Sequence, residues 1–146
     1  MNTRFTIMAV AVSLLLSACS EPPPLVLVTD EEAGQPSSRG GFTLQEKGPN
    51  IEIHLPNSLD LIASSFPIYI EFSEGSEAST VNMASLKLTY KKLWGIDITD
   101  RVIDYISGTT ISVPETELPA GRHTIEIYIE DSKQNISTQQ ITVTVQ

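Results

Sequence analysis

Reactive side chains are few: one cysteine, Cys19, and two histidines, His54 and His123, among 146 residues. A zinc site draws on three or four Cys or His ligands, often closely spaced, and these three stand far apart in the chain. Serines cluster in stretches that read as linker and turns, and no Gly-x-Ser-x-Gly elbow raises one of them as a nucleophile. Glycine-rich phosphate loops are absent too. Oxygen ligands for calcium could come from Glu130, Asp131 and Asn135 with Asp97 or Asp100. The run "DSKQN" at residues 131 to 135 carries Lys133 among sparse acids, however, and reads as a plain turn. Neither catalysis nor a metal or cofactor is expected. The remaining chemistry is that of contact. "YKKLWGIDITDR", residues 90 to 101, gathers Tyr90, Leu93 and the only tryptophan, Trp94, around two lysines and a glycine turn. Aromatic and basic side chains on a loop make good contact anchors. The competing and favoured reading folds Trp94 back as a plug over an open end of the domain, where an indole buries much area.

Cys19 closes a different pattern. Arg4 precedes an apolar run of 12 residues, Phe5 to Leu16, and the small residues Ser17 and Ala18 come next. That run is shorter than the ~20 residues a membrane-spanning helix needs and has the layout of an export signal. The segment Leu16-Ser17-Ala18-Cys19 resembles the lipobox of bacterial lipoprotein signal peptides. The resemblance implies that residues 1–18 are removed, that the Cys19 thiol carries diacylglycerol and that its new amino group is acylated. The membrane would then be a partner through lipid on Cys19. Several chains on one residue hold far better than one, because each buried methylene contributes about 0.8 kcal/mol. Ser20, after the cysteine, lacks the acidic character linked to inner-membrane retention, which points to the outer membrane. A lone cysteine also rules out a disulfide within the chain.

Charge narrows the partners further. The chain carries a net charge of −9, and the leader holds one cation, Arg4, and no Asp or Glu, so its removal leaves −10. An acidic surface repels phosphate backbones and anionic headgroups. Nucleic acid is not an expected partner; an envelope protein or glycan is.

Residues 19–41 have linker composition, with Pro22-Pro23-Pro24, the acidic run Asp30-Glu31-Glu32 and "GQPSSRGG" at 34 to 41. The predicted organisation is a leader at 1–18, a lipidated and disordered linker at 19–41 and a domain at 42–146. "LVLV" at residues 25 to 28 is the apolar exception, read as a short strand or local packing in preference to a partner-binding strip. From Ile51 onward the hydrophobic period is two. Ile51/Ile53/Leu55, Ile68/Ile70/Phe72, Leu86/Leu88/Tyr90, Ile125/Ile127/Ile129 and Ile141/Val143/Val145 each alternate with polar residues. Shorter segments at 96–98, 102–106 and 111–113 are read as strands as well, giving about seven. Turn signals separate them at the spacing of an antiparallel sandwich.

"LPAGRHTIEIYIEDSKQNIS", residues 118 to 137, resembles the closing hairpin of bacterial immunoglobulin-like domains, in which Leu-Pro-x-Gly-x-aromatic opens a strand ending in an Asp-x-x-Gly-Asn turn. "FPIYIEFSEGSEASTVNMASLKLTY" is similar to the second and third strands of those domains. The resemblance implies an all-β, immunoglobulin-like antiparallel sandwich and a non-catalytic role. It places His123 at a structural corner where tyrosine or phenylalanine is usual, and Gln134 where glycine is usual; His54 falls on the outward face of a strand. The expected protein is a lipid-anchored envelope module presenting a protein or glycan contact surface, with a structural spacer or accessory subunit as the alternative.

Overall fold

Alternating burial runs through the long strands as the period-two pattern requires. The computed structural model describes residues 22–37, 47–57 and 61–146; the leader, Cys19 and Ser20 lie outside them. The elements are β1 (Leu25–Val26), α1 (Asp30–Ala33), β2 (Asn50–Leu55), β3 (Leu61–Ile62), β4 (Ser65–Ser73) and β5 (Val81–Tyr90). They continue with β6 (Ile96–Asp97), α2 (Thr99–Val102), a 3-10 turn (Ile103–Tyr105), β7 (Ile106–Ser107), β8 (Thr110–Glu117), β9 (Gly121–Asp131) and β10 (Ile136–Val145). One sheet has the order β1-β8-β4-β2, with β7 also on β8; the other runs β3-β10-β9-β5-β6. The long strands pair antiparallel, while β1 joins β8 and β3 joins β10 in parallel. Reading β2, β4, β8, β7 against β5, β9, β10 gives the A-B-E-D and C-F-G arrangement of an immunoglobulin sandwich. The fold is therefore all-β, as expected, with six long strands and four two-residue pieces among the described residues.

Inward positions fill one core. Phe66, Ile68, Ile70 and Phe72 of β4 with Ile111 and Val113 of β8, from one sheet, and Ile125, Ile127 and Ile129 of β9 with Leu86, Leu88 and Tyr90 of β5, from the other, belong to a single buried cluster. Bulges shift the phase in three places. Between Ile53 and Leu55 the register of β2 on β4 slips, so Leu55 turns outward rather than joining Ile51 in the core. Around Pro114 the β8 strand gains a residue against β4, and its inward set moves from Ile111 and Val113 to Thr116 and Leu118. Between Asn82 and Lys87 the β5 strand bulges from β9, and the Ser85 hydroxyl takes the Glu130 N–H (2.8 Å) that the ladder leaves free.

Two expectations need correction. Of the segment 102–106 only Ile106 is in a strand, at the start of β7: Ile98, Val102 and the pair Tyr105/Ile106 recur at helical spacing, so α2 and the 3-10 turn bury Ile98 and Val102 while Ile103 points out. The larger correction concerns the linker. Residues 25–36 form a strap across one end of the sandwich, and Leu27 and Val28 are as buried as any core residue. Leu27 lines the same interior space as Phe66, Ile98, Val102 and Leu118, and its N–H donates to the Glu117 carbonyl (3.1 Å). Proline and acid content marked this stretch as linker, yet two adjacent apolar residues suffice to tie it down once α1 reverses the chain. Thr29 and Glu32 cap α1 with a reciprocal capping box. The boundary of the folded unit thus lies before residue 42.

If the strap belongs to the core, Leu27→Ala will cost ~2 to 5 kcal/mol in urea unfolding, as Ile127→Ala will. The half-exposed neighbour Val26→Ala will stay within ~0.5 kcal/mol. Equal effects at 26 and 27 would show that the strap is not packed.

Candidate functional site

The turn joining β5 to β6 carries the contact residues expected from sequence, and the structure divides them. Tyr90 is fully buried, so it is a core residue and not a contact anchor: as the last inward position of β5 it points between the sheets. Leu93 and Trp94, in contrast, are 56% and 87% exposed. The plug expectation for Trp94 is corrected accordingly, because Leu27 and Val28 of the strap already close that end of the sandwich.

The backbone beneath the two exposed residues is fixed from several directions. Lys91 N–H donates to the Thr124 carbonyl (2.8 Å), and Gly95 N–H donates to the Lys92 carbonyl (3.0 Å). Gly95 has φ +59°, which glycine adopts without steric cost. Leu93 N–H donates to the Pro36 carbonyl of the strap (2.8 Å). Lys92, the paired lysine that sequence placed beside the aromatics, is buried: its ammonium donates to the Ala33 carbonyl (2.7 Å) and lies 5.2 Å from the Tyr90 ring centroid. Lys91 pairs with Glu126 (3.2 Å). The lysines thus brace the turn from inside, and the tip presented to solvent is apolar.

The strap that braces the tip is itself held by Arg101, which sequence reading left in the loop without a role. Its guanidinium donates to the Leu27 carbonyl (2.6 Å) and forks onto both Glu32 carboxylate oxygens (2.6 and 2.9 Å). The Arg101 bonds hold the Glu32 carboxyl down at about 2, against burial, and the Thr29 N–H adds to the effect. Between the strap and the β8–β9 corner runs an open cleft of about 410 Å³, lined by Val26, Val28, Thr29, Asp30, Glu117 and Pro119 among others.

Both histidines have partners within the fold. His123 is buried at the start of β9, with Nε2 2.8 Å from the Pro119 carbonyl and Nδ1 2.9 Å from the Tyr90 hydroxyl. A carbonyl only accepts, so Nε2 carries the hydrogen and Nδ1 accepts from Tyr90. This is the corner bond that a tyrosine makes in immunoglobulin domains, supplied here by an imidazole. Burial, reinforced by the Lys92 charge, pushes the His123 pKa below its ordinary value despite the Pro119 bond. His54 is exposed at the β2 bulge, within 3.8 Å of Glu52 and 3.5 Å of Glu71.

Asp131 and Asp97, two of the acids considered for calcium, serve turns. Asp131 is buried and accepts from the Ser79 hydroxyl, the Lys133 N–H (2.8 Å), and the Asn135 N–H and side-chain amide (both 2.8 Å). Burial opposes its charge, but these bonds outweigh burial and hold the carboxyl at about 2. Gln134 within this turn has φ +66°, a left-handed conformation that favours glycine. Asp97 accepts from the Thr99 hydroxyl (2.6 Å) and N–H (3.0 Å). Among the described residues, no group of three or more His, Cys, Asp or Glu is disposed to hold a metal ion, and no helix is long and apolar enough to cross a membrane.

The chain matches no protein-family model, no curated protein and no solved structure.

Two measurements check this arrangement. Trp94→Ala will change stability by no more than ~0.5 kcal/mol, and wild-type emission will be red-shifted and readily quenched by iodide; a blue-shifted, protected signal would contradict an exposed tip. The neutral imidazole is the form the folded state prefers, so the His123 contribution is complete above the unfolded value of 6.5 and declines as pH falls through the lower folded value. Stability measured by urea will therefore drop below pH 6.5, before carboxylates titrate, and His123→Phe will flatten that slope.

Proposed function

We propose that the protein is a non-catalytic, lipid-anchored module of the bacterial cell envelope whose immunoglobulin-like domain presents a contact surface at the Leu93–Trp94 tip to another envelope component. The observation that carries this reading is the braced exposure of that tip. A large indole left in water on a turn pinned by the strap, by Thr124 and by Gly95 is ordered before any partner arrives, so contact costs little further ordering of the backbone. Exposed aromatics of this kind supply most of the energy at protein contacts. The anchor rests on the Leu-Ser-Ala-Cys tetrad after its short apolar run, and the outer membrane on Ser20.

The alternative is a spacer or accessory subunit in which the tip touches nothing. A photo-reactive benzoyl-phenylalanine at position 94 distinguishes the two in intact cells: an adduct at 94 absent from the same probe at the exposed Glu115 supports a contact site, and equal yields support a spacer. Metabolic labelling with fatty acid tests the anchor. Label is expected on the wild type and lost in Cys19→Ala, and label retained in that variant would refute lipidation at Cys19.

A further inference from the structure

One flank of the sandwich collects exposed apolar residues and the path to the anchor together. β6 ends one sheet and β1 with β7 borders the other. The α2–3-10 segment connects β6 to β7 and therefore crosses the flank between these two edges. The strap crosses it too, from β1 to Pro36, where the Pro36 carbonyl takes the Leu93 N–H. Arg101 ties the two crossings through Leu27 and Glu32. Four of the large apolar side chains left in water lie on the elements that border or cross this flank: Val26 of β1 at 48%, Leu93 and Trp94 of the turn before β6 at 56% and 87%, and Ile103 of the crossing segment at 58%.

The chain enters the flank at its N-terminal side. Leu25, the first residue paired into the fold, stands six residues after Cys19, and six residues span at most ~21 Å even when fully extended. Because residues 25–36 are built into the fold, no long spacer separates a lipid on Cys19 from the domain. A domain on so short a leash lies against the surface that holds its lipid, and the side nearest the leash is the side turned to it.

We infer that the flank bearing Val26, Leu93, Trp94 and Ile103 rests on the bilayer that holds the Cys19 lipid, with Trp94 seated at the headgroup level. This rests on the anchor proposed above and names the bilayer as the envelope component met by the tip. The chemistry suits that interface. Tryptophan favours the boundary between headgroups and acyl chains, and leucine and isoleucine beside it add apolar area. The charges nearest the tip in sequence are engaged within the protein: Lys91 with Glu126, Lys92 with the Ala33 carbonyl and Lys87 with Asp97. With a net charge of −10 on the processed chain, attraction to anionic lipid contributes nothing, so the contact is apolar and works on zwitterionic membranes.

Trp94 is the only tryptophan, which makes the test direct. The lipoprotein extracted from membranes is reconstituted into phosphatidylcholine vesicles with and without brominated acyl chains, and flotation and emission are read together. The expected result is flotation, a blue shift, and loss of about half the emission to the brominated chains, as for an indole at the interface. A Trp94→Phe/Tyr69→Trp variant, with its single indole on the outer face of β4, is expected to float equally and lose none. Flotation with an unquenched Trp94, or equal quenching at positions 94 and 69, would overturn the inference and leave the anchor standing. Failure to float would overturn the anchor and the inference together. Shielding of Trp94 from bromine by an added envelope extract would identify a protein or glycan as the occupant and also overturn it.

Discussion

Arg101 holds the N-terminal strap to the domain, and the arrangement of one end of the sandwich depends on that contact. A bidentate guanidinium–carboxylate pair combines charge with two directed bonds, and Arg101 adds a third to the Leu27 carbonyl. The Glu32 carboxylate it grips also accepts from the Thr29 N–H, closing the capping box of α1. One carboxylate thus caps the helix and fixes the strap. Burial of Leu27 and Val28 favours the ordered strap, and the Arg101 and Lys92 bonds supply directed contacts that hold the strap in register.

The strap in turn sets the position of the tip. With Leu27 and Val28 in the core, the end of the sandwich is closed and Trp94 is left outside. With Pro36 and Ala33 in place, the backbone of Leu93 and the ammonium of Lys92 have fixed partners. The same strap brings the chain from Pro22 onto the flank beneath the tip. Anchor path, closure and exposed indole are therefore set by one segment, and the histidine corner completes that end by tying Tyr90 of β5 to the Pro119 turn.

The long strands were legible because period two is a direct consequence of pleated geometry, and β4, β9 and β10 keep to it nearly without interruption. Register was less so. Bulges at His54 and Pro114 and in β5 invert the burial of the residues beyond them, and only Pro114 carries a sequence signal. The helical turn at 99–105 was hidden by its short length and β-branched composition. The packing of "LVLV" was read correctly, as β1 and the buried Leu27 and Val28 show, but the rest of the strap was taken for linker because composition was given more weight than the T-x-x-E capping box at Thr29 to Glu32. The fate of Trp94 could not be read from its own neighbourhood, since it depends on which other segment fills the end of the sandwich. Gln134 is the opposite case: the turn it occupies holds a positive φ, as the resemblance to a glycine-bearing turn led one to expect, although glutamine stands there.

Closure of the sandwich and exposure of the tip both require the strap to be part of the cooperative fold, and native-state hydrogen exchange of the Leu27 amide measures that directly. Its N–H donates to the Glu117 carbonyl beside a buried side chain. The predicted result is exchange as slow as that of Ile127 in β9, with the same dependence on urea, because both open only by global unfolding. Exchange at Leu27 much faster than at Ile127, and insensitive to urea, would contradict a strap built into the core.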